Sequence, residues 1–166
     1  TLIAGPVSLE TPHGVKRINV KTAQDMFDAC TGNFDKQDII IMAAAVADYA
    51  PIEIASEKVK KKAEDWNIEL KKTKDVLGWI GDNKKVNQKL IGFALETENE
   101  QANAFGKLER KNLDIIVLNS LKDEGAGFQH DSNKITIIDR NNKVTSFELK
   151  SKKDVAIDIL DTIENY

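Results

Sequence analysis

Asp48 is followed within one short loop by Lys58, Lys60, Lys61 and Lys62, so that a candidate carboxylate and four ammoniums lie close along the chain. Just ahead of them Met42, Ala43, Ala44 and Ala45 close an apolar run that begins at Asp38. Side chains this small let a planar group lie against the backbone at the carboxyl end of a strand, where open α/β sheets bind ligands. Residue types of this kind suit a phosphate-bearing ligand. Asp48 is the candidate magnesium ligand, because Mg²⁺ bound with phosphates usually takes only one or two carboxylates.

Further candidates lie downstream. Thr73 to Leu77 reads as a helix start, a place where free N–H groups and the helix dipole favour an anion. Lys107 and Lys111 are four apart on one helical face, where like charges repel by about 0.2–0.5 kcal/mol unless an anion lies between them. Phe93 offers a surface on which a base could stack. Each feature also has a plainer reading: alanines as tight packing, lysines as a solvated face, Phe93 as core. His13 and His130 are the only histidines and neither forms a relay with a Ser, Cys or Thr nucleophile. The chemistry expected is therefore electrostatic stabilisation of charge on a transferring phosphorus, with no covalent enzyme intermediate.

The elements that must position these residues follow from periodicity. Thr1 to Ala4 and Val15 to Val20 read as short strands, and Thr22 with Asp25 resembles a capping box opening a helix that ends near Gly32. Asp38 to Met42, continuous and β-branched, is expected to be a central strand buried on both faces. Trp66 to Lys71 alternates and reads as a strand, Thr73 as the N-cap of a helix that stops at Gly81. Lys89 to Ala94 reads as a strand ending at Phe93, Asn99 to Lys111 as a helix, and Leu113 to Leu118 as a strand ending at Asn119. Two last strands flank Asn141 and Asn142 in a hairpin signal, before a helix from Ser151 that buries Val155, Ile159, Leu160 and Ile163. The alternation predicts a Rossmann-like three-layer α/β fold, its sheet mostly parallel with one antiparallel strand from the C-terminal hairpin.

Composition narrows the class. With 166 residues, 41% hydrophobic and 31% charged, the chain is expected to form one compact domain over 1–166. Cys30 is the single cysteine, no apolar run approaches a bilayer span, and no signal-peptide pattern opens the chain, so a cytoplasmic location with no membrane partner is expected. A net charge of -3 argues against nucleic acid as a partner. There is no G-x-G-x-x-G after a strand, which removes the ordinary dinucleotide oxidoreductase.

Taken together in order, AAVADY, EKVKKK, KKTKDVL, IGFALET, RKNLDIIVLN and GFQHDSN resemble phosphopantothenoylcysteine synthetase of bacterial coenzyme A biosynthesis, and the opening GPVSLETPHGVKRINVKTAQDM is similar as well. That resemblance implies a ligase joining 4'-phosphopantothenate to L-cysteine with CTP, through an acyl-cytidylate, with CMP and pyrophosphate released. It implies backbone contacts to the cytidine nucleotide from Met42, Ala43 and Ala44, and nucleotide and Mg²⁺ binding by Asp48. Lys58 would contact the nucleotide and complete the reaction. Lys74, Asp75, Val76, Leu77, Phe93, Lys107 and Lys111 would be further CTP contacts. The resemblance also implies a homodimer. Where the family usually has Asn-Pro-Asp, this chain has Thr73, Lys74 and Asp75. The family's first strand, its Gly-rich turn and an Asn-containing motif have no counterpart before Thr1, so the chain is expected to be a piece of a longer one. Its parent would bind FMN only if fused to an upstream decarboxylase. The other reading is a nucleotide-binding and dimerising module without full catalytic activity.

Overall fold

A computed structural model describes residues 1–58, 67–96, 98–120 and 131–166. In chain order the elements are β1 (Leu2–Ala4), β2 (Arg17–Asn19), α1 (Ala23–Thr31), a 3₁₀ turn (Phe34–Lys36), β3 (Ile39–Met42), β4 (Tyr49–Pro51), β5 (Leu70–Lys72) and α2 (Val76–Asn83). There follow β6 (Lys89–Glu96), α3 (Glu100–Arg110), β7 (Ile115–Ser120), β8 (Ser132–Asn133), β9 (Ile135–Asp139), β10 (Val144–Ser146), β11 (Lys150–Ser151) and α4 (Lys152–Glu164). The chain divides into two compact units, one of Thr1–Asn33 with Ala44–Val76, the other of Phe34–Ala43 with Leu77–Tyr166. No helix among the described residues is long and apolar enough to cross a membrane.

The second unit is built on a five-stranded sheet in the order β10-β9-β7-β6-β3. β3, β6 and β7 are parallel, while β9 runs against them and β10 returns in the original direction. One strand of the C-terminal hairpin is thus antiparallel to the rest, as the periodicity predicts. Strand alternation sends Ile91, Ile115, Val117, Ile135 and Ile137 to one face, where Val155, Ile159 and Ile163 of α4 close a dry core. On the other face a Cβ at Gly92 would come within 2.7 Å of a Leu113 methyl and 3.4 Å of a Leu77 methyl, so a side chain there would have to displace Leu113. α3 packs on β6 and β7 with Ala104 and Leu108 buried. The α/β/α layering expected of this fold is present within this unit.

At the amino ends of these strands lies a charged network. Asp114 is buried; it accepts from the Lys84 ammonium and from the backbone N–H of Leu90 (2.7 Å), with Arg140 at 3.6 Å. Arg140 in turn donates to the Leu113 carbonyl and to Asn112 Oδ1, and Asn112 Nδ2 donates to the Gly81 carbonyl. A side chain at Gly81 would collide with the Lys111 carbonyl oxygen and lie 2.9 Å from its carbon. Gly81→Ala should therefore destabilise the protein by about 1–3 kcal/mol, since backbone must move to admit one methyl. Thermal unfolding measures this, and an unchanged Tm would show that α2 yields freely.

In the first unit β1 and β2 form a parallel pair and β4 and β5 an antiparallel ribbon. Thr22 and Asp25 make the expected capping box: Thr22 Oγ1 accepts from Asp25 N–H and the Asp25 carboxylate accepts from Thr22 N–H. The Thr22 backbone N–H, joined by that of Lys21 and the Thr22 hydroxyl, holds the Asp25 carboxyl below the usual carboxylate range. That contribution is present at neutral pH and is lost as pH falls through the lowered value. Burial pushes the Cys30 thiol up, as suits a packing residue with no reactive role.

Several expectations are corrected. β3 is an edge strand of the five-stranded sheet among the described residues, not a central one, and Ile39 and Ile41 are 47% and 42% exposed. An all-apolar run is compatible with burial on either or both faces, and cannot say how many neighbours the strand has. The alternating segment before Thr73 is not part of the parallel sheet; β5 pairs with β4, a strand the break at Pro51 concealed. Trp66 lies outside the described residues. α2 begins at Val76, not after Thr73, and runs through Gly81 to Asn83. β6 continues three residues past Phe93, which pairs with Val117 in mid-strand. Leu160 is 51% exposed, because it falls between the buried positions Ile159 and Ile163 on the turn of α4.

Candidate functional site

Residues expected to bind the nucleotide are found in both units, and each set is described by itself. In the first, Ala44 and Asp48 lie exposed in the connection after β3, Asp48 at a bend that leads into β4. Their path is fixed from β5's end: Thr73 donates through its hydroxyl to the Ala47 carbonyl (2.7 Å) and through its N–H to the Asp48 carbonyl (2.9 Å). The residue read as a helix cap instead ties down the small-residue segment. A threonine there has one signal for both roles, so sequence alone does not separate them. Asp48 keeps its carboxylate exposed. Among the described residues no group of three or more His, Cys, Asp or Glu side chains is gathered to hold a metal. A lone exposed carboxylate still fits an Mg²⁺ ion that arrives on phosphates.

Lys58 is exposed, and Lys60, Lys61 and Lys62 lie outside the described residues. Lys74 and Asp75 precede α2 and are exposed, while Val76 is buried as its first residue. The Lys74 ammonium sits 4.5 Å from the centre of the Phe27 ring, a cation–π contact that fixes a side chain otherwise free to swing. Phe27 was legible only as part of the α1 apolar stripe.

In the second unit Met42 ends β3 half-buried, Ala43 follows it exposed, and Leu77 is half-buried on α2. Phe93 is half-buried on β6, packed against the α4 core. It meets one other expected residue directly, for the Lys107 ammonium donates to the Phe93 carbonyl at 2.8 Å. Lys111 is half-buried at the end of α3, its N–H on the Lys107 carbonyl. The two lysines are thus presented in succession along one face, with one of them anchored to the strand that carries Phe93. At the carboxyl end of β7, Asn119 accepts at Oδ1 from Nδ2 of the buried Asn133 (3.0 Å). The sequence marks Asn119 as a strand end and carries Asn133 as the last residue of GFQHDSN, but does not show that the two side chains meet. Phe128 and His130, in the expected loop motif, lie outside the described residues.

Comparison with known proteins bears on what these residues serve. Residues 1–166 match the family described as DNA/pantothenate metabolism flavoprotein C-terminal domain. A relative from an unknown prokaryotic organism, named cysteine/cysteine sulfinic acid decarboxylase, is 49% identical over 96% of this chain and 45% of its own length. The coenzyme A biosynthesis bifunctional protein CoaBC of Bacillus subtilis (strain 168) is 43% identical over 98% of this chain and 40% of its own. A crystal structure of the C-terminal domain of a coenzyme A biosynthesis bifunctional protein CoaBC superposes with a TM-score of 0.80 at 37% identity, covering 98% of this chain and 73% of that one. This chain therefore spans less than half the length of those two curated relatives.

Proposed function

The chain belongs to the DNA/pantothenate metabolism flavoprotein C-terminal domain family, and from that premise we propose that it is the phosphopantothenate–cysteine ligase part of a longer protein of coenzyme A biosynthesis. The observation that carries the reading is the similarity, along 98% of this chain, to part of a bifunctional CoaBC protein in sequence and to a CoaBC C-terminal domain in fold. The name of the 49% relative describes a decarboxylase. Two histidines without a nucleophile, and cationic residues ordered along the chain, suit anion chemistry better than carbon–carbon bond cleavage.

In the proposed reaction a carboxylate oxygen of 4'-phosphopantothenate attacks the α-phosphorus of CTP. The α–β phosphoanhydride bond breaks and pyrophosphate leaves. The amine of cysteine then attacks the acyl carbon, the bond to CMP breaks, and the amine gives up a proton as the amide forms. Met42, Ala43 and Ala44 approach the nucleotide by backbone, and Lys74, Asp75, Val76, Leu77, Phe93, Lys107 and Lys111 complete its contacts. Lys107 is held ready by the Phe93 carbonyl, so its charge needs little rearrangement to meet a phosphate. Lys58 is the catalytic lysine. Asp48 would hold Mg²⁺, which supplies charge neutralisation on the phosphates. In this reading FMN would enter only with a fused decarboxylase. A cytoplasmic enzyme with small-molecule substrates follows from the same reading.

A homodimer is part of the proposal, and the β4–β5 ribbon supports it. Ile52 N–H to Glu69 and Thr73 N–H to Asp48 set the hydrogen-bonded pairs, so Pro51 and Leu70 turn their backbones outward. Pro51 has no N–H to offer, which blocks the β4 edge and leaves β5 open. A two-fold axis at Leu70 would place Glu69 of one copy opposite Lys71 of the other. Leu70, 54% exposed, would meet its own copy, and the ribbon would gain the further strands that two strands alone in water need. Leu70→Lys should place like charges on the axis and weaken dimerisation by roughly 10–100-fold. Light scattering at several concentrations reads this, and an unchanged dimer would remove β5 from the interface.

Calorimetric titration of the full-length protein with CTP and with ATP, both with Mg²⁺, tests the ligase reading. CTP bound at least roughly 10-fold more tightly than ATP is expected. Equal binding of the two would overturn the assignment of the nucleotide.

A further inference from the structure

Asn119 sits where the apolar face of the second unit's sheet ends. Along that face β6 presents Ile91, Phe93 and Leu95 and β7 presents Ile115, Val117 and Asn119, in register as Phe93 with Val117 and Leu95 with Asn119. The core is dry up to Val117, and Phe93 packs against it. One step further toward the carboxyl end the pattern changes to a half-buried amide, placed diagonally from Phe93 on the neighbouring strand.

The orientation of this amide can be deduced. Lys134 donates its backbone N–H to Asn133 Oδ1 (3.1 Å), which identifies that atom as the oxygen. The other atom of the Asn133 amide is then Nδ2, and it donates to Asn119 Oδ1 at 3.0 Å. Asn133 is itself buried, so the pair is held firmly. Asn119 consequently faces Asn133 with its acceptor and turns its two N–H donors the other way. Among the described residues no partner takes those donors.

From this geometry we infer that Asn119 determines base specificity, its Nδ2 donating to the N3 edge of a pyrimidine lying against Phe93. The inference rests on the CTP reading above and goes further by naming the group that separates CTP from UTP. Cytosine presents a lone pair at N3, which a donor satisfies. Uracil carries a hydrogen at N3, so a fixed donor meets another donor and both lose their hydrogen bonds. Asn133 acts as the positioning residue, since it prevents the amide from turning over and accepting from uracil.

The experiment compares dissociation constants for CTP and UTP, with Mg²⁺, in the full-length protein and in its Asn119→Asp and Asn119→Ala variants. Aspartate presents only acceptors, so N119D should lower the CTP-over-UTP preference by roughly 10–100-fold or invert it. N119A should lose the preference without inverting it, and decides the matter if N119D does not fold. A wild-type protein that prefers CTP, together with variants keeping the same ratio within roughly two-fold, would overturn the role of Asn119 and leave the CTP reading standing. A wild-type protein that does not distinguish CTP from UTP would overturn both.

Discussion

Lys58→Ala in the full-length protein is expected to cut product formation by roughly 10²–10³-fold while CTP binding changes by no more than a few-fold. The reasoning is one of position and charge. Lys58 is exposed, so its ammonium contributes nothing to the core and its loss should not disturb folding. A charge placed over the developing negative charge of a phosphoryl or acyl transition state is worth far more there than in the ground state. Truncation should then appear in kcat and leave the dissociation constant of CTP nearly untouched. Product formation is read by pyrophosphate release in the presence of cysteine and 4'-phosphopantothenate, and binding by calorimetry. Turnover equal to the wild type would remove Lys58 from the chemistry and leave the second reading, a nucleotide-binding and dimerising module.

The largest effect on stability is expected at Asp114. Its side chain and that of Lys84 are 11% and 7% exposed, so the pair is almost fully withdrawn from water. Asp114→Ala would leave the Lys84 ammonium buried without a counter-charge, free the Leu90 N–H, and weaken the hold on Arg140. Breaking one half of such a pair costs about 3–5 kcal/mol, whereas replacing both halves by apolar groups of similar shape is often nearly neutral. Urea denaturation should therefore show a large loss in D114A and substantial recovery in the Lys84→Met, Asp114→Leu double variant. A loss below about 1 kcal/mol in D114A would mean that water reaches Lys84 and that the network is dispensable. None of Asp114, Lys84 and Arg140 is among the proposed nucleotide contacts, so nucleotide binding measured well below the melting transition should change far less than stability does.

What could be read from the chain was mostly what depends on neighbours in sequence. The Thr22–Asp25 box and the Ser151 cap, whose hydroxyl accepts from Asp154 N–H, are each formed within one turn and were visible as residue types at fixed spacing. Asn142, with φ of 63°, lies in the expected hairpin turn. The parallel sheet with its one reversed strand followed from the order of the elements. Partnership was the part that periodicity could not supply. Ile39 to Met42 looks the same at the edge of a sheet as at its centre, and Tyr49 to Pro51 gains its strand character only from pairing with β5. Thr73 satisfies the rule for a helix cap and yet spends its hydrogen bonds on Ala47 and Asp48, far away in sequence. Asp114, Lys84 and Arg140 come from three separate connections between elements, and nothing in their local surroundings marks them as a set. For the site, Phe93 and Lys107 were both legible as candidates, and the hydrogen bond that joins strand to helix emerged only with the fold.

The claim at the centre of this account is that a carboxylate is activated as an acyl-cytidylate. Its most direct test uses 4'-phosphopantothenate labelled with ¹⁸O in the carboxylate, incubated with the full-length protein, CTP, Mg²⁺ and cysteine. If a carboxylate oxygen attacks the α-phosphorus and departs when the amide forms, mass spectrometry will find one ¹⁸O in the phosphate of CMP and none in pyrophosphate. Label in inorganic phosphate would mean an acyl phosphate instead, and product formed without label in CMP would contradict the account.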